Sequence, residues 1–258
     1  MPLGTTDVGR FITDGFIRID NAFSRSVAES ARAILWRDMG SDMNCDAEDS
    51  STWTKPVVWL GEYDDEPFRL ALNAPALTSA YDALVGAGRW LPGLTLGSSQ
   101  VRFPSSESAE EVGWHVDAGF PGPDSQSMFD WRINGRSRGR ALLLLFLFSD
   151  VEENDAPTRL RVGSHLDVAR LLVPSGEEGL SFRELAGALR ELPPHAEVLT
   201  TGAAGTVYLC HPLIVHAPQP HRGTQPRFMA QPALLPREEL GLDGPSPVEQ
   251  AIRLAVTS

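Results

Sequence analysis

From Pro92 onward the chain is a series of short β-type runs, and this series constrains the fold more than any other feature. The runs are Leu94 to Phe103, Gly113 to Ala118, Arg140 to Phe148, Thr158 to Val162, Glu197 to Leu199, Gly205 to His211 and Pro226 to Pro232, separated by stretches rich in Gly, Pro, Asp and Ser. Many short runs between turn formers predict an antiparallel barrel or a double-sheet sandwich. Among them, Ala141 to Phe148 is apolar throughout. It is far shorter than the roughly 20 residues a helix needs to span a bilayer, so it is expected to be a buried strand.

Before Pro92 the period is helical. Ser24 is placed to cap a helix whose apolar positions Val27, Ala31, Ile34 and Leu35 recur at helical spacing, and Phe16 to Ile19 just before it alternates like a strand. Ser41 to Thr54 is polar and is expected to be an exposed loop, with a lid as the functional alternative. Glu66 to Val85 predicts a further helical stretch. Later, Ser181 to Leu189 predicts an inserted helix with Phe182, Leu185 and Leu189 on one face. Ser246-Pro247-Val248-Glu249 supplies a cap, a proline at the first helical position and a glutamate at the third. With no internal repeat and no convincing linker, residues 1–258 are expected to form one mainly β domain with flanking helices. Its parts would be a helical portion to about residue 90, a β-barrel core from about 94 to 235, and a last helix from about 246 to 256.

Charge narrows the partners. With 34 acidic against 22 basic residues the formal net charge is -12, which opposes phosphate backbones and anionic lipid surfaces. No nucleic acid and no membrane are expected as partners; a small-molecule substrate is, with the chain a monomer or homodimer. Cys45 and Cys210 are too few for a disulfide scaffold, and the opening residues carry no basic segment leading into an apolar run, so a cytoplasmic location is expected.

The chemistry-bearing residues are His115, Asp117 and His216. Side chains two apart on a strand share a face, so His115 and Asp117 can turn an imidazole nitrogen and a carboxylate oxygen into one cavity. A second histidine from a distant strand would complete a two-histidine, one-carboxylate face of an octahedral ferrous ion, with the opposite positions open. His-x-Asp alone is weak, since such pairs also make ordinary surface hydrogen bonds. Further along, Arg227 follows His216 by 11 residues. If the chain turns between them and returns as a hairpin, that offset brings a guanidinium beside the metal, where it would pair with the far carboxylate of an iron-chelating 2-oxoacid. A surface ion pair is the competing reading of Arg227. His211 rivals His216 but has the opposite strand parity. His165 reads as ordering a turn, and His221, in a polar turn, as exposed.

The order Gly113-Trp114-His115-Val116-Asp117, then Asp155-Ala156-Pro157-Thr158 running into Gly163-Ser164-His165, then Gly205-Thr206-Val207 leading to His216, and finally Gly223-Thr224-Gln225-Pro226-Arg227-Phe228, resembles the phytanoyl-CoA dioxygenase family. The resemblance spans at least Arg102 to Pro232, and Gly15 to Ile19 also looks like that family's start. It implies a double-stranded β-helix (a cupin-like jelly roll), Fe(II) held by His115, Asp117 and His216, and 2-oxoglutarate anchored by Arg227. It also implies consumption of dioxygen, with succinate and carbon dioxide as co-products. Because halogenating relatives replace the carboxylate ligand with a small residue, Asp117 implies hydroxylation of a small metabolite, with desaturation or cyclisation left open. The chain departs from the family pattern at Val162, where many members have proline, and at Pro218, where a hydroxyl residue often stands. The latter removes one expected contact to 2-oxoglutarate, for which Thr158 or Gln100 are the replacement donors.

Other polar residues carry two readings each. Ser98, Gln100 and Arg102 share one strand parity; facing inward, Gln100 and Arg102 would contact 2-oxoglutarate or an anionic substrate group, and facing outward they are ordinary surface. Arg132, Arg136, Arg138 and Arg140 either bind an anion or pair with surface acids. Trp114 and Trp131 either wall a substrate pocket or belong to the core, with Trp131 and Arg102 the candidate substrate contacts. Two rival functions use the same residues: a zinc-type enzyme without redox chemistry, and a catalytically silent small-molecule-binding barrel.

Overall fold

The computed structural model describes residues 3–107, 113–123 and 125–257. Strands β1 (Phe16–Ile19), β2 (Val57–Glu62), β3 (Ser98–Arg102), β4 (Arg132–Ile133), β5 (Leu142–Leu147), β6 (Arg159–Arg161), β7 (Leu180–Ser181), β8 (Glu197–Leu199), β9 (Val207–Cys210), β10 (His216–Ala217), β11 (Arg227–Ala230) and β12 (Ala233–Leu234) pair antiparallel throughout. The larger sheet runs β1-β9-β5-β11-β3-β2, with β12 alongside β5; a smaller one runs β10-β6-β8, and β4 pairs β7. The fold is mainly antiparallel β with flanking helices, as the sequence predicts, and the two sheets are the halves of a double-stranded β-helix.

The apolar run of β5 is buried on both faces because the sheet is covered on both. Leu142, Leu144, Phe146 and Phe148 join Val207, Leu209, Phe228 and Val101 in a core shared with helices α1 (Thr5–Asp14), α2 (Arg25–Met43), α3 (Glu66–Leu72) and α4 (Pro75–Val85). Leu143, Leu145 and Leu147 point the other way, into the space between the sheets, with Tyr208, Cys210, Met229, Leu160 and Ile214. A strand buried on both sides loses the usual apolar-polar alternation, which is why it reads as one continuous stretch.

Helix α2 starts where expected: the Ser24 hydroxyl accepts from the Val27 amide. It extends to Met43, into the segment expected to be loop, and a short 3-10 turn at Ser50–Thr52 follows. The stretch from Glu66 to Val85 divides into α3 and α4 because Pro75 cannot donate to the preceding turn and restarts the helix at its first position. Helix α5 (Ser164–Leu172) follows β6, and α6 (Phe182–Ala188) is the inserted helix, with Ser181 and Glu184 forming a reciprocal cap. The last helix, α7 (Pro247–Thr257), opens on the same device, Ser246 with Glu249. Strands β2, β4, β7, β10 and β12 lie outside the runs legible in the sequence, and the run from Gly113 to Ala118 contributes only a bridge at His115. Among the described residues no helix is long and apolar enough to cross a membrane.

Candidate metal centre

The centre rests on one backbone pair. His115 and His216 exchange both amide-carbonyl hydrogen bonds, each 2.9 Å, across an antiparallel bridge. Residues directly opposite in such a pair put their side chains on the same face. That face is the interior one, because His216 also pairs with Leu160 of β6, whose side chain lies between the sheets. Asp117, two residues beyond His115, follows it inward. His115, Asp117 and His216 each offer one ligand atom, and those atoms lie within 4.8 Å of one another.

Both histidines are oriented alike. His115 Nδ1 lies 2.7 Å from the Gly113 carbonyl and His216 Nδ1 lies 3.3 Å from that of Ile214. A proton donated from Nδ1 leaves each Nε2 as the acceptor nitrogen, the form a metal ligand requires. The two Nε2 atoms are each 3.7 Å from Asp117 Oδ1. Burial, with His115 next, pushes His216 down to about 4, so its imidazole is neutral at physiological pH. Burial alone would raise the Asp117 carboxyl; Arg140, then His216, His115 and the Gln231 amide outweigh it and hold it at about 2. Two imidazole nitrogens and one carboxylate oxygen converging on one point fit a divalent first-row metal such as ferrous iron.

His216 is 2% exposed, whereas His115 and Asp117 keep 15% and 19%, so the centre opens on the His115 side. Phe182 of α6 packs there, its ring centroid 5.6 Å from that of His115, and Phe129 meets Phe182 edge-on at 5.7 Å. Trp131, 40% exposed, belongs to the same rim, its carbonyl accepting from the Phe182 amide. Trp114 has the opposite parity to His115. It lies outside the smaller sheet under the Arg159 and Arg161 guanidiniums and lines an outer cleft of about 500 Å³ with Leu189 and Arg190.

The residues expected from the sequence to hold the co-substrate are all buried. Arg227 is 1% exposed, so the surface ion-pair reading fails. Its Nη1 donates to the Ala156 carbonyl, which is turned toward it by a left-handed backbone (φ 52°) at Ala156. Arg102 stands directly opposite Arg227 across β3 and β11, and Gln100 opposite Met229. Gln100 and Arg102 are buried on the inner face, and Arg102 lies at the Arg227 end rather than on the open His115 side. Thr158, also buried, reaches across from the smaller sheet, its hydroxyl 3.6 Å from Met229 Sδ. His221 is buried rather than exposed, because the turn that carries it folds back against Asp155. His211 is structural: its Nδ1 accepts from the Leu213 amide, its Nε2 meets the Val248 carbonyl, and its ring packs on His165.

Sequence reasoning missed Gln231 and left Arg140 between two readings. Gln231 Nε2 donates to Asp117 Oδ2 at 3.2 Å and lies 3.1 Å from His216 Nε2. Its signal is parity: Gln231, just past the end of β11, continues the inward alternation of Arg227 and Met229. Arg136 and Arg138 pair with the surface acids Glu177 and Glu239, but Arg140 Nη1 lies 3.3 Å from Asp117 Oδ2.

No protein-family model and no curated protein matches the sequence. Solved structures do match its fold. HygX from Streptomyces hygroscopicus, crystallised with nickel and 2-oxoglutarate, aligns over 92% of this chain and 88% of its own at 18% identity and a TM-score of 0.58. SnoK, a non-heme alpha-ketoglutarate-dependent carbocyclase from nogalamycin biosynthesis, aligns over 92% and 85% at 16% identity and a TM-score of 0.60. SnoN, an alpha-ketoglutarate-dependent epimerase from the same biosynthesis, aligns over 88% and 79% at 15% identity and a TM-score of 0.55.

Proposed function

We propose that this protein is an Fe(II)- and 2-oxoglutarate-dependent oxygenase acting on a small-molecule metabolite. The observation that carries the reading is the convergence of His115 Nε2, His216 Nε2 and Asp117 Oδ1, with Arg227 buried on the inner face of the larger sheet; β10 and β11 lie in different sheets rather than in the hairpin expected from the 11-residue offset. The structural neighbours crystallised with nickel or iron and 2-oxoglutarate support it.

His115, Asp117 and His216 would hold the iron, which when bound supplies oxidative decarboxylation of 2-oxoglutarate with dioxygen to succinate and carbon dioxide, and oxidation of the substrate. Arg227 receives the far carboxylate of 2-oxoglutarate, its guanidinium fixed against the Ala156 carbonyl before the ligand arrives. Arg102 adds a second cationic group there, and Gln100 and Thr158 supply polar contacts along the path to the iron. The leucines of β5 and the Tyr208 ring keep bulk water out of the space between the sheets. Phe182, Phe129 and Trp131 line the open side and present the substrate over His115. Asp117 fills the position that a halide would need, which favours hydroxylation. HygX has been crystallised with hygromycin B, which supports a small molecule as the substrate.

Anaerobic addition of Fe(II) and 2-oxoglutarate should produce a weak visible charge-transfer band that is lost in His115→Ala. Absence of both the band and succinate formation in air would remove the oxygenase reading.

A further inference from the structure

Asp117 has two carboxylate oxygens in different surroundings. Oδ1 faces both histidine Nε2 atoms at 3.7 Å. Oδ2 faces away from them, toward Arg140 Nη1 at 3.3 Å and Gln231 Nε2 at 3.2 Å. The same Gln231 nitrogen lies 3.1 Å from His216 Nε2, so one amide touches two of the three candidate ligands. Gln231 follows β11 at the parity of Arg227 and Met229, and the strand therefore carries the co-substrate anchor at one end and this amide at the other.

Arg140 is brought to Asp117 by a close backbone crossing. Gly119, two residues after Asp117, lies against Gly139, immediately before Arg140. A Cβ on Gly139 would collide with the Gly119 carbonyl, and one on Gly119 with the Arg138 carbonyl. Gly139 also has a φ of 84°, which L side chains rarely adopt. With the segments this close, Arg140 Nε donates to the Ala118 carbonyl at 2.8 Å, fixing the guanidinium plane before it meets Asp117.

We infer that Arg140 and Gln231 are positioning residues that hold Asp117 Oδ2 away from the metal, so that Asp117 binds through Oδ1 alone and the sites opposite the triad stay open for 2-oxoglutarate and dioxygen. A carboxylate released from this clamp can rotate and bind through both oxygens, taking up a position that a two-point chelator needs. The inference rests on the oxygenase reading of the same centre.

The test is a titration of the full-length protein with Co(II), followed by calorimetry and by the visible ligand-field spectrum, before and after addition of 2-oxoglutarate. Gln231→Leu removes the amide that contacts Asp117 and His216. It should weaken Co(II) binding about 10-fold or more, as loss of a metal ligand's hydrogen-bonding partner typically does, and should alter the ligand-field spectrum. Arg140→Lys keeps the charge but not the fork; it should fall between wild type and Gln231→Leu, with unchanged far-ultraviolet circular dichroism showing that the fold persists. Wild-type Co(II) affinity and spectrum in both folded variants would overturn the inference and leave the oxygenase reading standing. Failure of the wild-type protein itself to bind Co(II) would overturn both.

Discussion

His115 and His216 share a local device: each is tied through Nδ1 to the carbonyl two residues earlier, and the two are joined to each other by a pair of backbone hydrogen bonds. The two candidate histidine ligands are thus oriented by main chain, which varies little with side-chain identity. Arg227 depends instead on side-chain placement, and its role is testable alone. Arg227→Leu should raise the Kd for 2-oxoglutarate by about 10- to 100-fold, the loss of charge-assisted hydrogen bonds worth roughly 1.5 to 3 kcal/mol, while leaving Co(II) affinity near the wild-type value. Calorimetry with each ligand separates the two. Equal loss of both affinities would mean that Arg227 supports the fold of the centre rather than the co-substrate.

At the scale of elements, α7 is held to the rest of the molecule by a buried carboxylate. Glu249, 0% exposed, accepts from Arg89 through both oxygens at 2.7 Å, from the Ser246 hydroxyl and amide, and from the Gly241 amide. Burial alone would raise its pKa; these donors outweigh burial and bring it down to about 2. A depressed folded-state value means that the stabilisation is complete above the usual carboxyl range and is lost as pH falls toward 2. Glu249→Gln should therefore cost about 2 kcal/mol at pH 7, less than the ~3–5 kcal/mol for breaking a fully buried pair because Arg89 keeps access to water. The gap in melting temperature should close as the pH is lowered below 4; a gap constant with pH would contradict this role. The α7 start was legible from Ser246-Pro247-Val248-Glu249, but its partner Arg89, 160 residues away, was not. The same division holds across the fold. Runs with their own pattern, such as β5, β8, β9, β11 and the caps of α2 and α7, could be read locally. Strands of two residues such as β7 and β12, whose existence depends on a neighbour, could not.

At the scale of the molecule, a chain of net charge -12 gathers buried and half-buried cationic groups around one internal space. Arg102, Arg140 and Arg227 come from three different strand regions and converge only through sheet pairing and the Gly119–Gly139 crossing. The triad was visible in sequence because period two and one distant histidine suffice to state it. Gln231 and Arg140 were not, since the one follows a strand whose register had to be known and the other sits among three arginines that do face surface acids or carbonyls. The central claim is the location of the metal. Crystals grown anaerobically with Fe(II) and 2-oxoglutarate, measured on both sides of the iron absorption edge, should show one anomalous peak within bonding distance of His115 Nε2, His216 Nε2 and Asp117 Oδ1. A peak elsewhere, or none at full iron loading, would contradict it.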